Sequence, residues 1–191
     1  MNAAADFEAA VRMLSRPLPA YVTYTQHAHA KIDSIVKDQT STVTVRTSDG
    51  KIVKGKGLEI IVGSQHSTSG SILTNSPFDT QCYAGVSAKI APYEGRDAEQ
   101  IVLHDRCARD KDSGDFTMLY VDPATHEPLG VVGGKSENPV DVHLEQRWTH
   151  AGNNYVPSTL AVMVKGSGLM FWLDVVASAD FSHYSFSDKA P

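Results

Sequence analysis

The sequence predicts a mainly β chain (α+β), one large curled antiparallel sheet preceded by a short N-terminal helix. Three observations predict it. Apolar and polar residues alternate with a period of two along most of the stretch after Ala20, turn signals separate these runs at short intervals, and a helical period holds only near the N-terminus. The 191 residues suit a single domain over 1–191, with a helix over 6–16, a meander over 20–188 and a flexible loop over 63–81.

The helix is expected from Asp6 to Arg16. Asp6 is placed to cap it, and Phe7, Ala10, Val11 and Leu14 recur on one face. Pro17 and Pro19 stop it, since proline lacks the amide donor and restricts the residue before it. Tyr21 to Ile32 then reads as a strand with Val22, Tyr24, Ala28, Ala30 and Ile32 on one face and Thr, His and Lys side chains on the other. Thr42 to Thr47 leads into Asp49-Gly50, a hairpin signal, and a returning strand over Lys51 to Val62 carries Gly55 and Gly57, which predict a bulge or bend. Gly63 to Gln81, rich in Ser, Thr and Gly, reads as loop.

Strand pattern returns over Gln100 to His104, and the charged Asp105 to Asp115 reads as a turn. Phe116 to Val121 and Leu129 to Val132 pair as a hairpin around Asp122 to Pro128. Val140 to Thr149, Ser158 to Lys165, Leu169 to Val176 and Phe181 to Phe186 complete the meander. Nine or ten strands joined by short links define an antiparallel sheet, and native twist makes a sheet of that size curl or close.

Charge and motifs exclude several functions. A net charge of −5 with no basic cluster argues against nucleic acid as a partner. No apolar run reaches the length of a spanning helix, so the chain is expected not to span a membrane. Met1 to Ala5 has neither the basic nor the apolar region of a signal peptide, which leaves a cytosolic protein or a mature sequence behind an added Met; the Ala-rich start suits the second. Gly133-Gly134-Lys135-Ser136 ends like a phosphate-binding loop, but Leu129 stands where the first glycine belongs and a strand follows. Asp110 to Asp115 resembles a calcium loop with Gly at a ligand position and Val121 in place of the bidentate carboxylate, and a polar turn explains it better. His27 and His29 share a strand face without an identifiable third ligand, so that face is read as a solvated surface and no metal is expected. Asp141 and Glu145 lie along the wet side of a strand, and no nucleophile elbow occurs. No catalytic residue and no cofactor are expected.

Cys82 and Cys107 are the two cysteines. In an oxidising compartment they read as a disulfide closing a loop of about 26 residues, a stabilisation of roughly 3.5 kcal/mol on the loop-entropy model. Two buried thiols are the alternative. Near the C-terminus the alternation fails. Leu169, Phe171, Leu173 and Val175 interleave with Met170, Trp172 and Val176, so both faces of that strand are apolar. Either the strand is central and covered on both sides, or one side lines an apolar groove.

A short helix, a long Tyr-rich strand, a meander, the hairpin Leu119-Tyr120-Val121-Asp122-Pro123-Ala124-Thr125-His126-Glu127-Pro128-Leu129 and a final strand Phe181 to Phe186 together resemble the outer-membrane lipoprotein carrier superfamily and its sorting-protein relatives. The resemblance runs from about Asp6 to Asp188, with the Asp-Pro-x-Thr turn its best motif. It implies an unclosed β-barrel around an apolar cavity, a periplasmic or secreted location, no cofactor, and an acyl chain or apolar peptide on the concave face. The chain departs from those carriers in having one convincing helix where they close the cavity with several. The expected function is non-enzymatic binding of a lipid or other apolar ligand in the cell envelope, with Tyr24, Met118, Tyr120, Trp148, Met163, Phe171 and Trp172 as candidate lining residues. An interaction module for envelope proteins, using the sheet surface, is the alternative, and a hydrolase the third reading.

Overall fold

The structure, a computed structural model, describes residues 1–32, 35–57, 59–62, 65–68, 78, 81–106, 116–137, 139–168 and 171–191. Helix α1 spans Ala3–Leu14, earlier than the expected 6–16. Asn2 is its cap, accepting from the Ala5 amide at 3.3 Å. Asp6 instead sits inside the first turn and accepts the Asn2 amide through Oδ2 at 2.7 Å. The capping site is thus displaced by four residues, because Asn and Asp are equally good caps and the apolar spacing of Phe7, Ala10 and Val11 does not choose between them. Those three side chains are buried against the sheet.

The strands are β1 (Tyr21–Ile32), β2 (Ile35–Arg46), β3 (Lys51–Lys54), β4 (Glu59–Val62), β5 (Gln65–Thr68), β6 (Tyr83–Tyr93), β7 (Arg96–Asp105), β8 (Phe116–Val121), β9 (Pro128–Glu137), β10 (Val140–Ala151), β11 (Asn154–Gly168) and β12 (Phe171–Ser187). Ten of them form one antiparallel sheet in the order β3-β2-β1-β12-β11-β10-β9-β8-β7-β6, and β4 pairs with β5 apart from it. The order is a meander in which first and last strands lie side by side, and the two edges, β3 and β6, are joined by the chain between residues 55 and 82. The sheet therefore curls without closing. Edge strand β3 is only four residues long and starts and ends on Lys, a composition that discourages edge-to-edge pairing.

Several boundaries differ from the sequence reading. β6 and the first residues of β7 were not expected, because Gly85, Pro92, Glu94 and Gly95 interrupt the period and a bulge lies between Gly85 and Ser87. Pro92 is tolerated there because β6 is an edge. β3 ends at Lys54, well before Val62, and Gly55 turns the chain at a φ of +88°, where an added Cβ would lie 2.2 Å from the Thr42 carbonyl oxygen. Gln65–Thr68, expected as loop, is strand β5; the remainder of that loop, apart from Phe78 and Gln81, lies outside the described residues, as does the Asp110 to Asp115 turn. The two C-terminal strands expected at 169–176 and 181–186 are the single β12.

Two apolar clusters fill one face. The first joins Phe7, Ala10 and Val11 of α1 to Phe78, Tyr83, Ile101, Leu119, Val131 and Trp148. The second joins Val22, Tyr24, Val43, Val45, Val156, Ala179 and Phe181. Helix α1 touches β6, β7, β9 and β11, so this face is the inner one. The helix comes close to β6 at Gly85, where an added Cβ would lie 2.3 Å from the Ala3 carbonyl oxygen. Because the obstacle is backbone, Gly85→Ala has to push the start of α1 off the sheet, and overpacking of this kind costs about 1–3 kcal/mol. Denaturant unfolding of the variant is the check; an unchanged midpoint would mean that α1 is not seated on β6.

Candidate ligand-binding face

Along the inner face the ladders bring small aliphatic residues into rows. Leu144 of β10 faces Val162 of β11, which faces Ala177 of β12, which faces Ala30 of β1. One step along the strands, Val142, Val164, Val175 and Ile32 form a parallel row. All eight side chains are half-buried. They begin where the second cluster ends, since Ala28, opposite Ala179, packs against that cluster. The β1–β12 pairing carries two facing Ala pairs, Ala28 with Ala179 and Ala30 with Ala177. Sheet positions usually hold β-branched or aromatic side chains. Alanine pairs there lower the floor of the face into a shallow trough.

The outer face of the same strands is different. The row His143, Met163, Val176, Lys31 and the row Glu145, Ala161, Ser178, His29 alternate polar and apolar groups. His29 Nδ1 meets Asp38 Oδ1 at 2.8 Å on the exposed surface, so this histidine is engaged with a carboxylate across the pair. Tyr24 belongs to the second cluster, edge-on to Phe181 and tilted against Tyr184 with ring centroids at 5.8 and 5.6 Å. Burial pushes its phenol up to about 12, and burial likewise raises Tyr184, whose hydroxyl donates to the Pro157 carbonyl oxygen at 2.5 Å. Both phenols stay neutral at any ordinary pH.

The candidate residues fall in different places. Tyr24 and Trp148 lie on the inner face but in separate clusters. Met118 and Tyr120 lie on the outer face, where Gln100 Nε2 donates to the Tyr120 hydroxyl at 2.8 Å and contacts Met118 Sδ at 2.9 Å. There Tyr93 stacks on Tyr120 with ring centroids 4.1 Å apart and donates to Glu145 Oε1 at 3.1 Å. Burial works against the Glu145 carboxylate, but hydrogen bonds from Arg147 and Tyr93 outweigh it and its pKa ends below the usual carboxylate range. Met163 is exposed on that outer face as well. Phe171 and Trp172 pair through their backbones with Gly168 and Ser167, and their side chains lie outside the described set. The residues that build the trough are small aliphatics, which a search for large side chains passes over. Their signal is the recurrence of one apolar parity on four neighbouring strands.

A polar group sits at the other end of the inner face. The β8–β9 turn is built by Asp122, whose Oδ1 accepts from the Ala124 and Thr125 amides at 2.9 and 3.0 Å. The turn ends with His126 at a φ of +58°. His126 Nδ1 thereby reaches 3.4 Å from Asp6 Oδ1 on α1 and 4.0 Å from Glu99 Oε2 on β7. Burial, then the hydrogen bond and charge of Asp6, raise the Glu99 pKa, while His126 opposes the shift.

Solved structures share this fold, a curled, unclosed antiparallel sheet. A LolA-superfamily protein from Nitrosomonas europaea aligns over all of this chain and 96% of its own, at 10% identity and a TM-score of 0.50. A DUF1329 family protein from Desulfovibrio piger aligns over all of this chain and 96% of its own, at 12% identity and a TM-score of 0.57. A domain from Vibrio parahaemolyticus named as an outer membrane lipoprotein-sorting protein aligns over all of this chain and 95% of its own, at 14% identity and 0.58. The chain thus has the LolA-like fold that its sequence resembles. No family model and no curated protein matches the sequence.

Proposed function

We propose that this protein is a non-catalytic binding protein of the cell envelope that holds the acyl chain of a lipid or lipid-modified protein in the inner-face trough. The observation that carries the reading is the double row of half-buried aliphatic residues, with facing Ala pairs, on the side of the sheet that the helix occupies. The fold shared with a lipoprotein-sorting domain supports it. Transfer of an acyl chain from water is worth about 0.8 kcal/mol per buried methylene, so a trough that covers ten of them holds a lipid with no polar contact at all.

The test is native mass spectrometry of gently purified protein, with solvent extraction of the same sample. Retained phospholipid or fatty acid at close to one per chain is expected. A preparation that carries no lipid and takes up none from vesicles rejects the reading. Exposed apolar side chains on edge strand β6, Val86 and Ile90, favour a second reading, in which the edge docks an envelope protein.

An oxidising location goes with a Cys82–Cys107 disulfide. Cys82 is buried in the helix-side cluster, and its carbonyl oxygen accepts from the amide of Arg106, the residue that precedes Cys107 in the sequence, at 2.6 Å. Protein from an oxidising compartment should change electrophoretic mobility on reduction, and Cys82→Ser should abolish the change. A shift that survives the substitution excludes this pairing. Among the described residues no helix is long and apolar enough to cross a membrane.

A further inference from the structure

Asp6, Glu99 and His126 come from three separate elements, the first turn of α1, the middle of β7 and the end of the β8–β9 turn. One ligand atom from each lies within 4.8 Å of the others. Two atoms of these three side chains are buried without a hydrogen-bond partner. Glu99 has 1% of its side chain exposed, and its Oε1 has no hydrogen-bond partner. His126 Nδ1, the nitrogen turned toward both carboxylates, is buried and has none either. A buried carboxylate oxygen left without a donor is costly, more so when charged, and a ligand that satisfies it removes the cost.

We infer that Asp6, Glu99 and His126 form a divalent transition-metal site, best matched to Zn²⁺, that clasps α1 to the sheet. The donor set is one imidazole nitrogen and two carboxylates, a combination that zinc accepts with bonds of about 2.0–2.2 Å. In a tetrahedral shell of that size neighbouring donors stand about 3.4 Å apart. The His126 Nδ1 to Asp6 Oδ1 distance is already 3.4 Å, and the Glu99 Oε2 distance of 4.0 Å closes with a small side-chain movement. His126, with 38% of its side chain exposed, stands at the rim of the group, and a water molecule would complete a four-coordinate shell. Asp6 keeps its Oδ2 on the Asn2 amide, which orients the carboxylate and leaves Oδ1 for the ion. His27 and His29 offer no comparable group, because no third donor joins them among the described residues.

The experiment is calorimetric titration of chelator-treated full-length protein with Zn²⁺, repeated with Co²⁺ to read coordination from its visible absorption. One ion per chain is expected, with the intense visible bands of tetrahedral Co²⁺. Glu99→Gln preserves size and removes the charge, and His126→Asn keeps a residue that accepts the left-handed backbone, so both should fold. Each should weaken binding at least tenfold, while His29→Ala leaves it unchanged. Zinc should also raise the melting temperature of the wild-type chain and not that of His126→Asn, since the ion ties α1 to the sheet only when all three donors are present. No stoichiometric binding to the wild type, equal binding by the Glu99 and His126 variants, or loss of binding in His29→Ala each overturns the site. These outcomes are independent of whether the trough holds a lipid.

Discussion

Replacing Trp148 by Ala should lower stability by about 3–5 kcal/mol, the range for truncating a buried aromatic side chain. Trp148 projects from β10 into the cluster beneath α1, is 8% exposed, and stands 6.4 Å from the ring of Phe78. Phe78 in turn meets Phe7, Tyr83 and Phe116 edge-on at 5.6–5.8 Å. The indole therefore supports a ring cluster that ties the helix, the edge-to-edge link and the sheet together. Removing it leaves a cavity that rigid strands on either side cannot close, so the loss includes both transfer and void. The check is urea unfolding, with the midpoint lowered and the slope unchanged. A loss below about 1 kcal/mol accompanied by release of bound lipid would assign Trp148 to the ligand and not to the core.

That expectation shows what the chain discloses before it folds. Tyr24 and Trp148 each continue the apolar parity of their own strand, Val22 with Tyr24 and Leu144 with Trp148, and both lie on the inner face. Met118, Tyr120 and Met163 are as large and as apolar, yet they fall on the outer face. Size does not encode side; the register between strands does, and register depends on bulges such as those flanking β8, between Phe116 and Met118 and between Tyr120 and Val121. The trough was hidden for a related reason. Ala30 and Ala177 are unremarkable in their own strands, and only the β1–β12 pairing, which joins the two ends of the chain, puts them opposite each other. Strand β6 escaped notice because an edge strand tolerates Pro92 and a bulge at Gly85, the features that break a sequence pattern. The Asp6, Glu99 and His126 group was equally invisible. Asp6 fits a helix cap, Glu99 a strand of mixed polarity and His126 a turn, and each role is sufficient for the residue taken alone. Their meeting follows from long-range packing of α1 across the sheet, for which the local period carries no signal.

The sharpest test of the trough is Ala177→Phe. Ala177 is half-buried at the centre of the row, between Val162 and Ala30, with Val175 and Ala179 on the same face of its own strand. A phenyl ring there fits strand preference and covers apolar surface that is otherwise partly wet, so the fold should keep or gain stability. The same ring occupies the floor on which an acyl chain would lie. Denying contact to three or four methylenes removes roughly 3 kcal/mol, about a hundredfold in affinity. The substitution thus separates two quantities that truncation confuses, because stability and ligand retention move in opposite directions. Wild-type and variant protein purified side by side, with equal melting temperatures and lipid present only in the first, would place the ligand on this face. Full lipid content in the variant would move the ligand elsewhere on the molecule. Lipid in neither would leave the aliphatic rows as a surface awaiting a protein, which the exposed edge at Val86 and Ile90 could then share.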